Sequence, residues 1–167
     1  MMPPQMYHFR PATLDDLPRL AEWQAEPHVR AWWDADPPYD AAELSDPRVR
    51  RFIVSIDSHP FAFLQDYTVH GWGAHHFAHL PDGTRGIDQF IGDPEMIGRG
   101  HGTAMIGQRV QQLFDEGAPV VAVDPHPENA RAIAVYRKLG FAVFGPAQET
   151  EWGLILPMKR ESAKGGS

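Results

Sequence analysis

Two sets of residues in this chain could do chemistry: a run of glycines able to hold an anion, and carboxylates on strands able to hold a cation or take its proton. From Ile97 to Thr103 the sequence reads IGRGHGT, with Gly98, Gly100 and Gly102 at alternate positions and a helical pattern from Ala104 to Glu116 directly after. Glycine lets the backbone take φ > 0 and approach a ligand, while the first N–H groups of a helix lack internal partners and point outward with the positive end of the dipole. A phosphate or diphosphate suits such a junction. A P-loop would need Gly-Lys-Ser/Thr, yet Gly102 leads straight to Thr103; a dinucleotide fingerprint would need glycine where Thr103 stands.

In the strand upstream, alternation sets Ile87, Gln89 and Ile91 on one face and Asp88 with Phe90 on the other. A carboxylate amid apolar strand residues is costly to bury without a partner, so Asp88 is expected to face a cleft. The run PVVAVD, Pro119 to Asp124, is apolar throughout and follows a helix, as in a parallel strand buried on both faces. Asp124 at its end stands where ligands collect in open α/β sheets, or simply turns the chain with Pro125.

These residues need a frame. The pattern predicts a first strand at residues 7–10, a capping box from Thr13 to Asp16, a helix to Gln24 and a short helix from His28 to Trp33. Strands at Arg51–Ile56 and Phe61–Val69 flank the hairpin-type turn DSHP. A helix spans Pro127–Phe141 with Gly140 as its C-cap, and FAVFG and WGLILPM are the closing strands. Adjacent Trp32 and Trp33 cannot both face one core, and Asp34 and Asp36 follow them. Four histidines, His70, His75, His76 and His79, crowd a glycine-interrupted loop without HExxH or cysteine, so a substrate-facing lid is expected there and no metal site.

At 167 residues, 43% hydrophobic and 22% charged, the chain reads as one globular domain over residues 1–160 with a loose tail at 161–167. A net charge of −7 argues against nucleic acid and suits a cationic partner. With no cysteine there is no disulfide, thiolate metal site or cysteine nucleophile. Neither a signal peptide nor a spanning helix is visible, which makes the cytoplasm the expected location and a membrane no partner.

The turn before Ala104 resembles the R/Q-x-x-G-x-G/A cradle that binds the diphosphate of acetyl-coenzyme A in the GCN5-related N-acetyltransferase (GNAT) superfamily, with Ile97 where that pattern has Arg or Gln. Asn129 to Phe141, NARAIAVYRKLGF, is similar to the second motif of the same superfamily. RGIDQF, IGRGHGT, VDPHPEN and the early EW…WW pattern are similar to the aminoglycoside 6'-N-acetyltransferases. The implied fold is α/β (α+β), a mixed twisted sheet of about six or seven strands flanked by helices and splayed at the cofactor strand. The implied reaction is direct acetyl transfer from acetyl-coenzyme A to a primary amine, most closely the 6'-amine of an aminoglycoside. Siderophore, hydroxylysine or polyamine acetylation and a non-catalytic acyl-coenzyme A or drug binder are the alternatives.

The resemblance also implies roles. Asp88 would accept the amine proton and Tyr136 would protonate the departing thiolate. Phe90, Ile91, Ile97, Gly98, Arg99, Gly100, His101, Gly102, Thr103 and Asn129 would bind the cofactor. Asp88 and Asp124 would grip the cationic sugar, with Trp32 and Trp33 as an apolar wall and Gln65 and Asp66 as weaker candidates. A monomer or homodimer is compatible with this reading.

Overall fold

A computed structural model describes residues 6–33 and 39–163, so Asp34 and Asp36 lie outside the described residues. The first strand, β1 (His8–Pro11), pairs antiparallel with β2 (Val49–Ile56), placing His8 opposite Ser55 and Pro11 opposite Phe52. Between them the capping box forms, since Asp16 accepts the Thr13 N–H at 2.8 Å, and the same carboxylate takes two bonds from the Arg10 guanidinium at 2.7 and 2.9 Å. That ion pair ties the start of α1 (Leu17–Gln24) back to β1 and holds Asp16 below the usual carboxylate range. Two one-turn helices follow, α2 (Pro27–Arg30) and α3 (Ala41–Leu44). The second was not anticipated, although Asp40 caps it by accepting the Glu43 N–H at 2.8 Å.

β2 turns into β3 (His59–Thr68) through Asp57 and Ser58, both left-handed at φ 48° and 65°. Two such residues match the twist of the flanking strands and close a two-residue hairpin. Then come β4 (Arg85–Ile91), α4 (His101–Asp115), β5 (Val120–Val123), α5 (Ala130–Lys138), β6 (Ala142–Val143), β7 (Gln148–Thr150), β8 (Gly153–Ile155) and β9 (Met158–Glu161). Among the described residues the main sheet is seven-stranded, in the order β1-β2-β3-β4-β5-β9-β6, and β7 with β8 makes a separate hairpin. The expected strand WGLILPM is therefore divided at Leu156–Pro157, and its first half pairs with the unforeseen β7. The expected tail is also shorter, because β9 includes Glu161 and the Ser162 N–H bonds to the Pro119 carbonyl at 2.9 Å.

The chain divides into two compact units, Met1–Gln65 with Gln89–Gln108 and Asp66–Asp88 with Arg109–Ser167, and β3, β4 and α4 run through both. In the first, Leu20, Trp23, Val29, Ile53, Phe63 and Phe90 form a core against which Ala12, Trp33 and Tyr39 pack. Each side chain fully buried there contributes about 1.5–3 kcal/mol relative to exposure. In the second, β5 is buried along its whole length, as its apolar run required. It meets β4 in parallel only at Arg85–Val121 and Gly86–Ala122, and meets β9 antiparallel from Val120–Glu161 to Val123–Met158. The β4–β5 ladder ends before Asp88, so the backbone from Ile87 onward is not committed to β5.

A buried ion cluster fixes β4. Asp66 on β3 is 0% exposed and accepts from Arg85 at 2.6 Å on one oxygen and from Arg109 at 2.9 and 2.8 Å on the other. Among the described residues no helix is long and apolar enough to cross a membrane. Removing one partner of such a buried pair leaves uncompensated charge, at a cost of about 3–5 kcal/mol. Asp66→Ala is expected to lose stability on that scale in urea unfolding, with a much smaller loss for exposed Asp46→Ala.

Candidate active site

The glycine turn has the geometry its composition implied. Gly98 and Gly100 sit at φ +78° and +84°, and a Cβ at either would meet nothing within 4 Å, so the backbone there is both left-handed and open above. Gly102 needs neither freedom, since it lies inside α4 and a Cβ there would make ordinary contact with Ile91 at 3.6 Å. The helix begins at His101 instead of Ala104, and its ladder opens with the Ala104 N–H on the Gly100 carbonyl at 3.1 Å. The N–H groups of His101, Gly102 and Thr103 therefore precede the ladder, which is what an anion at this turn requires. These residues fit a diphosphate.

Side chains around the turn are otherwise engaged. His101 is buried, its Nδ1 2.9 Å from the Tyr7 hydroxyl and its ring 5.4 Å from that of Phe61, so it can offer a ligand only its backbone. Phe90 is likewise a core residue, stacked on Phe63 at 5.4 Å and edge-on to Trp23 at 6.3 Å. Arg99 is exposed, and Ile97 and Thr103 are half-buried. Trp33 turns into the aromatic core beside Phe63 and Phe90, whereas Trp32 stays 49% exposed.

The second unit holds the acid cluster. Asp88, in the middle of β4, and Asp124, just past β5, are hydrogen-bonded to each other. Burial pushes the Asp124 carboxyl up to about 7, against the partial relief of that hydrogen bond. Asp124 Oδ2 also lies 2.9 Å from Nε2 of His76, whose side chain is 5% exposed. The Tyr67 hydroxyl is buried beside Asp124, Asp88 and Tyr136, and burial first, then the carboxylates, hold it well above its ordinary value of 10. Gly86 makes room for it, because a Cβ at that position would overlap the Tyr67 ring. The Asp124 alternative in which it merely turns the chain is thus set aside: its carboxylate is tied into the cluster.

Several expectations change here. Asp66 cannot serve as a cation ligand, since both its oxygens are taken by buried arginines. Gln65 accepts from Arg51 at 3.1 Å on the neighbouring strand. Asn129 is the N-cap of α5, its side-chain oxygen accepting the Ala132 N–H at 3.2 Å. Tyr136 is buried and edge-on to Phe141 at 5.7 Å.

The histidine loop is not an open lid. His70 Nε2 lies 3.1 Å from the carbonyls of both Ala78 and Leu80, pinning the loop across its base, and the Trp72 indole donates to the Thr68 carbonyl at 2.5 Å. His75 and His76 stack at 4.2 Å, and Trp152 at the tip of the β7–β8 hairpin covers them at 5.5 and 5.8 Å. His76 and Trp152 escaped the sequence reading because their partners are far along the chain. The one available signal was the density of histidine. Among the described residues no group of three or more His, Asp or Glu is arranged to hold a metal ion.

Comparison with known proteins decides the family. Residues 12–148 match the acetyltransferase (GNAT) domain. The chain belongs to the GNAT acetyltransferase family. This GNAT chain is 32% identical over 141 residues, 77% of its own length and 70% of the relative's, to aminoglycoside N(6')-acetyltransferase type 1 of Klebsiella pneumoniae. It is also similar to the structure of AAC(6')-Ib with coenzyme A and kanamycin, with a TM-score of 0.82, 30% identity and coverage of 93% and 95% of the two chains. The structure of AAC(6')-Ib with ribostamycin and coenzyme A gives 0.84, 29%, 96% and 95%. The seven-stranded mixed sheet is thus that of a GNAT fold.

The buried carboxylate makes the GNAT domain's stability depend on pH. With Asp124 at about 7 in the fold and near 3.9 when unfolded, its contribution is complete below about pH 4 and is lost as pH rises through 7. Asp124→Asn does not titrate, so it is expected to gain on the wild type between pH 5 and pH 8, by ~2.5 kcal/mol, in urea unfolding followed at both values.

Proposed function

We propose that this GNAT chain transfers an acetyl group from acetyl-coenzyme A to a primary amine of a polycationic small molecule, namely the 6'-amine of aminoglycosides. The observation that carries it is the half-buried, hydrogen-bonded Asp88–Asp124 pair, in which enclosure pushes the Asp124 carboxyl up to about 7. Kinship with the Klebsiella enzyme and likeness to the kanamycin and ribostamycin complexes support the choice of amine. Drug resistance in the cytoplasm, by one GNAT domain acting as monomer or homodimer, goes with this reading.

When bound, acetyl-coenzyme A supplies the activated carbonyl that a free amine can attack. The turn at Gly98–Thr103 holds the diphosphate with the backbone N–H groups that precede the α4 ladder, and Arg99 adds charge. Backbone of β4 beyond Gly86, released from the β5 ladder, offers N–H groups to the thioester oxygen. An alkylammonium titrates near 10.4, and an ordinary carboxylate at 3.9 is a weak base for it. The pair shares one proton, which Asp124 holds up to about pH 7, and the charge left at Asp88 orients the ammonium and takes its proton. Asp88 touches the amine, and Asp124 carries the raised proton affinity. The Tyr136 hydroxyl donates to the departing thiolate sulfur.

Thiol release measured with kanamycin, tobramycin, spermidine and a 6'-hydroxyl analogue tests this. Turnover is expected only with the 6'-amine drugs. Asp88→Asn and Tyr136→Phe should each lower kcat by about 10²-fold or more with little change in KM for acetyl-coenzyme A. Preference for spermidine over kanamycin would overturn the substrate, and full turnover in both variants would overturn the residue roles.

A further inference from the structure

The His76–Asp124 contact is used by no step above. His76 reaches Asp124 from a loop that His70 braces, at 2.9 Å, with its ring almost wholly enclosed. A surface ion pair would not be built this way. The ring is stacked on His75, whose Nδ1 accepts the Phe77 N–H at 3.0 Å and whose own titration is depressed to about 4, so His75 stays neutral and adds no charge. The titratable groups facing His76 are Asp124 beyond β5, Asp88 on β4, Glu151 on the β7–β8 tip and His75 on its own loop, with Tyr67 on β3 beside the two carboxylates and His70 acting on His75. Two carboxylates hydrogen-bonded to each other hold one proton between them, so a further proton arriving at Asp88 needs somewhere to go.

We propose that His76 is a positioning residue which orients Asp124 and takes up, through Asp124 and Asp88, the proton that the amine gives up. This rests on the amine-acetylation reading. The balance is one proton in and one placed on the ring: the ammonium N–H passes to Asp88, the shared proton moves onto Asp124, and Asp124 Oδ2 passes its proton to Nε2 of a ring protonated on Nδ1. No other bond changes. Burial lowers the imidazolium's stability, and Asp88 and Glu151 partly restore it, so the proton is held briefly and released.

The test pairs kinetics with a ring titration. With kanamycin, His76→Gln keeps a hydrogen-bonding group near Asp124 but cannot carry the proton, so kcat is expected to fall at least tenfold with KM within about twofold. His76→Ala should recover part of its kcat on adding imidazole. Wild-type kcat in His76→Gln together with no imidazole effect in His76→Ala would overturn the proposal. Absence of turnover by the wild type would instead sink the parent reading, and the second measurement then decides this one alone. In the NMR titration of the His76 ring, Asp124→Asn should lower the apparent pKa by half a unit or more. An unmoved titration would overturn the proposal whether or not any amine is acetylated.

Discussion

Asp66 is the point from which the second unit is built. A carboxylate with no exposure, held by guanidinium groups from β4 and α4, joins three elements through charge-assisted bonds that tolerate little displacement. Arg85 is one of those partners and Asp88 is the third residue after it on the same strand. The clamp therefore anchors β4 three residues before Asp88, and Gly86 between them lets the strand pass against Tyr67. One acid is spent on structure so that another can be placed for chemistry.

The acid cluster shows the opposite economy. Asp88 and Asp124 are joined by a hydrogen bond, not by a cation, and the enclosure that makes Asp124 hold its proton also removes the water that would compete for an amine. Such a site costs stability above neutral pH and in return offers a base of suitable strength. Asp66 and Asp124 are both acids at sheet strands, yet they differ in kind because two arginines face the first and a carboxylate and an imidazole face the second.

Much of this was legible in the sequence. Alternation set Asp88 apart from Ile87, the unbroken apolar run marked β5 as doubly buried, and the spacing of glycines located the left-handed turn before α4. Local chemistry did not reveal which neighbours would meet. Asp66 looked like Asp88 until Arg85 and Arg109 closed on it, and the cap that Asn129 supplies to α5 was not foreseen. His76 gave no sign of its partner, since Asp124 lies beyond β4, α4 and β5 in the chain. The polar β7 carried no apolar alternation, because it pairs only with β8 and buries little.

The β7–β8 hairpin stands apart from the seven-stranded sheet, and its tip presents Glu151 and Trp152 to the stacked imidazoles while taking no part in the larger ladder. Variation at those two positions meets the rim of the acid cluster without passing through the packed interior. Trp152 is itself 59% exposed, so change at this rim is largely insulated from the demands of folding.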